Sequence, residues 1–152
     1  MKCALRLVAV ALVISTLSST HVLAASAVDD NPAALAALQV KADHAQPRDR
    51  CYLYATLVSR MTDLAGHQLN SGDSRQASET LKVVQQYAEK IHVGVAGDSK
   101  KLKDAESLMR RATFRLQDIL SEASYEDRQA LEAALKQLNQ VQTQLMTQVF
   151  KK

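Results

Sequence analysis

PRDRCYLYATLVSRMTDLAGHQLNSGD, residues 47–73, is the stretch on which the fold class turns. Tyr54, Leu57, Val58, Met61, Leu64, Ala65 and Leu69 recur in steps of three and four, the spacing that gathers apolar side chains on one side of an α-helix. Cys51 to Tyr54 add apolar groups in other directions, so this helix is expected to be the most buried of the chain. Pro47 suits its first turn, where a missing N–H costs nothing and the fixed φ is already helical. Asn70-Ser71-Gly72 supplies the stop, because glycine adopts the left-handed geometry that closes a helix.

Working outward, Asp73 with Gln76 three residues on has capping-box spacing for a third helix. Its seam is Ala77, Leu81, Val84, Ala88, Ile91 and Val95, broken by Gly94 and Gly97. Asp98 or Ser99 starts a fourth helix on Leu102, Ala105, Met109, Ala112, Leu116, Ile119 and Ala123, with Leu108 and Leu120 widening the stripe. Ser124 with Asp127 reads as another N-terminal cap, and Leu131, Ala134, Leu138, Val141, Leu145 and Val149 carry a fifth helix to Lys151 and Lys152. Before Pro47, an Ala-rich segment from Ala33 to Ala45 follows a polar lead-in, Asp29 to Pro32; its propensity is high and its apolar face weak. No useful strand-like alternation appears. The expected fold is all-α: an antiparallel helical bundle of four main helices plus a short N-terminal Ala-rich helix, forming one domain over residues 29–152.

Met1 to Ala24 has a different character. Lys2 and Arg6 precede an apolar run, Leu7 to Leu17, which is shorter than the roughly 20 residues that cross a bilayer. Small residues follow, so this reads as a secretory signal peptide cleaved after Ala24, or as late as Ala27. The mature protein is then exported, to the periplasm or beyond the cell, with no transmembrane anchor. Loss of Lys2 and Arg6 lowers the formal net charge of +3 to about +1, which lacks the concentrated basic face a nucleic-acid partner requires. Cys51 becomes the only cysteine, which excludes an intramolecular disulfide. Its commonest role is a buried, inert thiol; an intermolecular bridge and a nucleophile are the alternatives, though no base is identified.

Leu64-Ala65, Gly72-Asp73, Ala77, Leu81 and Val84 together resemble a tetratricopeptide-repeat hairpin over about 34 residues starting near Val58. Small residues there let two helices approach, and a Gly-Asp turn joins them. Gln68 stands where an aromatic is usual, and no Trp or closing Pro is present. One period further on lies Asp98-Ser99, not a second Leu-Ala pair. The resemblance implies a helical module that binds a peptide or protein on a concave surface. The wider chain is similar to small secreted helical proteins of bacteria.

Chemistry-bearing patterns are sparse. Glu89-Lys90-Ile91-His92 has the Glu-x-x-His spacing of a di-iron ligand pair but no second copy, so His92 reads as compensating a helix C-terminus. His44 and His67 also lie near helix ends, and no paired-cysteine, His-x-x-x-His or haem-attachment pattern occurs. Nucleophile elbows and phosphate-cradling loops are missing, so no catalytic residue, cofactor or metal is assigned. The fourth helix is the most basic segment, through Lys100, Lys101, Lys103, Arg110, Arg111 and Arg115, with Asp104, Glu106 and Asp118 interleaved. It reads either as a solvated face, with Glu106 compensating Arg110, or as a contact for an acidic partner or anionic membrane. Phe114 stands opposite the buried seam, either touching another helix or marking an exposed anchor. Arg110, Arg111, Phe114 and Arg115 are therefore the candidate partner-binding residues. The function expected is a non-enzymatic, exported protein–protein interaction module, its partner a protein, with a second copy of this chain among the candidates. The alternatives are a periplasmic holdase chaperone or stress protein, and a carrier with an apolar cavity between its hairpins.

Overall fold

The computed structural model describes residues 31–91 and 99–150, and among these every regular element is a helix. They are α1 (Pro32–His44), α2 (Pro47–Asn70), α3 (Ser74–Glu89), α4 (Ser99–Glu122) and α5 (Tyr125–Phe150). The proposed leader, the Gly94 and Gly97 break, Val95, His92, Lys151 and Lys152 lie outside the described residues.

Local chemistry accounts for the helix ends. Asn31 accepts the Ala33 N–H at 3.0 Å, and Pro32 and Pro47 each occupy a first turn. Gly72, at φ +81°, closes α2: its N–H donates to Leu69 O at 3.0 Å while the Asp73 N–H reaches back to Gln68 O at 2.8 Å, the paired bonds of a Schellman turn. Asp73 is consumed by that turn and makes no side-chain cap for α3, contrary to its capping-box spacing. The cap expected at α5 does form. Ser124 Oγ donates to Asp127 Oδ2 at 2.6 Å and accepts the Asp127 N–H at 3.3 Å. Ser74, at the start of α3, donates to the same carboxylate oxygen at 3.3 Å, so the two turns lie together at one end of the molecule.

Core burial follows the apolar spacing. Ala77, Leu81, Val84, Ala88 and Ile91 are buried around α3, and Leu131, Ala134, Leu138, Val141 and Leu145 along α5. Ala105, Met109, Ala112 and Leu116 form the buried stripe of α4; Leu102, Leu108, Ile119, Leu120 and Ala123 pack against its edges. At roughly 1.5–3 kcal/mol for each large side chain, these seams are the main favourable contribution to folding.

Helix α2 packs against α1, α3 and α4, and α5 packs against α3 and α4. No contact joins α2 to α5 or α3 to α4 among the described residues. The four long helices thus sit at the corners of a square, with α1 against α2. Lys101 bonds to Asp49, 52 residues back in sequence, and Arg115 pairs with Asp63 at the same spacing. A constant spacing means that α2 and α4 run in the same direction. The architecture departs here from an arrangement in which all neighbouring helices are antiparallel: two hairpins stand side by side with their first helices aligned. Gly66 permits the approach, since a Cβ placed there lies 3.0 Å from Ile119 Cδ1 and 3.4 Å from an Arg115 nitrogen.

Candidate interaction surface

The residues singled out on α4 separate into two groups. Arg110, Arg111 and Phe114 are exposed, with Phe114 retaining 60% of its surface in solvent. Arg110 and Phe114 are one turn apart, and Arg111 flanks them on the same side. The Arg110 Nε is 3.9 Å from Glu106, a loose i,i+4 pair that leaves the guanidinium accessible. Arg115, grouped with them in sequence, turns instead toward α2. There its Nε sits 3.9 Å from Asp63, and its nitrogens lie over Gly66. Its role is interhelical, because the small-residue stripe of α2 leaves room for the long side chain. Lys101 is also engaged, by Asp49, whose carboxyl is held below the usual range first by the Lys101 hydrogen bond and then by its charge.

The two hairpins explain why this face is open. Ser59, Thr62 and Gly66 on α2 are buried, with Gly66 facing α4. Counted on by the Asp49–Lys101 spacing of 52 residues, the matching positions on α4 are Arg111, Phe114 and Asp118, all exposed. What the first hairpin buries against the second, the second presents to solvent. An exposed aromatic flanked by arginines combines a rigid apolar contact with forked donors, the composition that concentrates binding energy at protein interfaces.

A second cluster escaped the sequence reading. Tyr54 and Tyr87, at 2% and 8% exposure, stand with ring centroids 5.9 Å apart and planes inclined by 35°. The Lys90 Nζ lies 5.3 Å from the Tyr54 centroid and 6.0 Å from that of Tyr87, within cation–π range. Tyr54 donates a short hydrogen bond to Asp43, which Lys90 also meets at 3.4 Å, and Tyr87 donates to Gln39 Oε1 at 2.8 Å. The Tyr54 hydrogen bond, reinforced by the Lys90 charge, draws the Asp43 carboxyl below its ordinary range. Burial, then the Asp43 bond, raises the Tyr54 phenol, and the Lys90 ammonium is raised through Tyr54 first and then by the Asp43 charge. The Gln39/Asp43 spacing of four and the Tyr87/Lys90 spacing of three were the available signals, but neither identifies a partner helix.

Other candidates have ordinary surroundings. Cys51 is half-buried, and burial pushes its thiol up to about 11, which keeps it protonated and poorly nucleophilic at neutral pH. His44 Nδ1 lies 2.8 Å from Val40 O at the end of α1, while His67 and Glu89 are exposed. Among the described residues no cluster of His, Cys, Asp and Glu is arranged to hold a metal, and no helix is long and apolar enough to cross a membrane. Leu57, Leu81, Met109, Leu116 and Leu138 fill the interior between the hairpins. A cleft of about 310 Å³ at the turn end is lined partly by Arg115, Asp118, Glu122 and Asp127 and opens to solvent.

No protein-family model, curated protein or solved structure matches the chain.

Proposed function

We propose that this is a non-enzymatic, exported helical protein whose work is to bind another protein through the outer face of α4. The observation that carries the reading is Phe114, a large aromatic left 60% exposed on a helix whose opposite stripe is fully buried, with Arg110 and Arg111 beside it. A partner that covers the ring and brings carboxylates to the two guanidinium groups gains both apolar burial and forked, charge-assisted hydrogen bonds. The architecture proposed for this module is a pair of antiparallel hairpins, α2–α3 and α4–α5, set side by side, with α1 on the first. This agrees with the kind of protein-binding hairpin that the Leu64-Ala65 and Gly72-Asp73 signature resembles, at a longer spacing than that family's repeat. Export rests on the leader-like Met1 to Ala24, and the mass of the protein isolated from cells tests it directly.

Affinity purification of the mature chain from its native envelope fraction tests the surface. A specific partner retained by the wild type and lost from both Phe114→Ala and Arg111→Glu supports the reading; unchanged recovery by both variants rejects it. Exposed Met146 and Phe150 on the last turns of α5 favour a second reading, a holdase that shields unfolding clients with scattered apolar contacts. A holdase suppresses aggregation of an unrelated client at near-equimolar ratio and depends little on Arg111.

A further inference from the structure

Helix α1 is attached by different means from the other four. Only Leu35 and Ala42 of its side chains are fully buried, and among the described residues its backbone comes close to α2 alone, reaching α3 through side chains. Leu38 packs half-buried against the core, and the rest of the attachment is polar: Gln39 and Asp43, one helical turn apart, place two acceptors against the Tyr87 hydroxyl, the Tyr54 hydroxyl and the Lys90 ammonium. The receiving side belongs to the α2–α3 hairpin. Tyr54 and Tyr87 are packed within its core, so their hydroxyls are held in position by burial of their own rings. The α1 link is short and extended, with Ala45 at φ −70°, ψ 153° and Gln46 at φ −57°, ψ 146°, before Pro47 restarts the chain as α2. Because α1 and α2 share no continuous helix, α1 can leave without unwinding α2. A helix with few buried apolar contacts and solvent-exchangeable polar ones belongs to the low-stability end of a structure.

We propose that the Tyr54–Tyr87–Lys90 face is a binding site for an amphipathic helix of a partner protein that carries a carboxylate, and that α1 is the built-in occupant such a helix displaces. The occupant is specified by what α1 shows the face to accept: a small or aliphatic residue for the apolar contact, a side-chain carbonyl for Tyr87, and a carboxylate one turn later for Tyr54 and Lys90. Lys90 makes the site selective for that negative charge, and the rigid phenol donors lose little freedom on binding. Occupation by α1 lowers the apparent affinity for an external helix by the fraction of time α1 is away. The site is separate from the α4 surface, so neither reading depends on the other.

The probe is a fluorescent peptide of residues 31–46, titrated into the full mature chain by anisotropy. Gln39→Ala/Asp43→Asn in the chain loosens α1 and leaves the receiving residues intact; it should bind the probe at least tenfold more tightly than the wild type. Adding Lys90→Glu should abolish that gain, whereas Phe114→Ala should leave it unchanged. Amide hydrogen exchange gives an independent readout: α1 should exchange at least tenfold faster than the centres of α2 and α3 in the wild-type chain. Equal probe affinity for wild type and the loosened variant, retention of the gain with Lys90→Glu, or α1 protection equal to that of α2 would overturn the proposal. So would a loosened variant that forms an α1-exchanged dimer without binding the probe, since the occupant would then be a second copy.

Discussion

Helices α2 and α4 are both 24 residues long and run side by side, yet they are buried in different ways. Side chains around most of the circumference of α2 are covered, including Ser59 and Thr62, whereas α4 hides one stripe and leaves Arg111, Phe114 and Asp118 in solvent. The difference follows from position: among the described residues α2 has three helical neighbours and α4 has two. A helix covered on several sides favours small side chains where a neighbour comes closest, and Gly66 marks that point. A helix with an open side can carry large and charged groups there, and those are free to meet a partner.

Truncating an apolar side chain in each helix should produce very unequal losses. Leu57→Ala in α2 should destabilise the protein by about 2–5 kcal/mol in urea unfolding, since the fully buried side chain leaves a cavity. Phe114→Ala in α4 should stay within about 0.5 kcal/mol of wild type, although more atoms are removed. A large loss for Phe114→Ala would mean that α4 has no free face.

A smaller effect probes the contact between the two helices. Alanine at position 66 gains up to about 1 kcal/mol of helix propensity but forces its Cβ against Ile119 Cδ1, an overpacking that costs about 1–3 kcal/mol. Gly66→Ala should therefore be net destabilising by about 1 kcal/mol, and Ile119→Val, which removes the opposing methyl, should reverse much of the loss. Stabilisation by Gly66→Ala alone would show that α2 and α4 are less closely set. At the turn, Gly72→Ala should also destabilise by about 1 kcal/mol, because φ +81° disfavours any side chain.

The smallest effect concerns α1, and pH reads it. The Asp43 carboxyl is lowered in the folded state from an ordinary 3.8, so its contribution to docking is complete above that value and disappears as pH falls through the folded-state pKa. Lys90 is raised from 10.5, so its contribution is complete below that value and fades as pH rises through the higher one. Amide chemical shifts of Gln39 and Asp43 in α1 should thus move at the acid end, and that acid change should vanish in Asp43→Asn. An unaltered acid transition in that variant would assign it to another carboxylate.

The seams of α3, α4 and α5 were legible because a repeated three-and-four spacing records which side of a helix loses water. The glycine stop of α2 and the Ser124 cap were legible because each depends on residues adjacent in the chain. Asp73 misled: its side chain suits a cap, but its backbone was already committed to the Gly72 turn. Arg115 looked like Arg110 and Arg111 and was separated from them only by the room beside Gly66. A trace of the paired hairpins does exist, since Arg75-Gln76-Ala77-Ser78-Glu79 at the start of α3 recurs as Arg128-Gln129-Ala130-Leu131-Glu132 at the start of α5.

By itself the chain determined that it is helical, where most helices stop and which side chains leave water, because these depend on neighbours within a turn or two. How the two hairpins sit against each other, that α2 and α4 point the same way, that Gln39 and Asp43 find Tyr87, Tyr54 and Lys90, and that Phe114 remains uncovered were decided only in three dimensions. A periodic stripe states that a surface will be buried; the identity and direction of whatever buries it depend on all the helices competing for the same core.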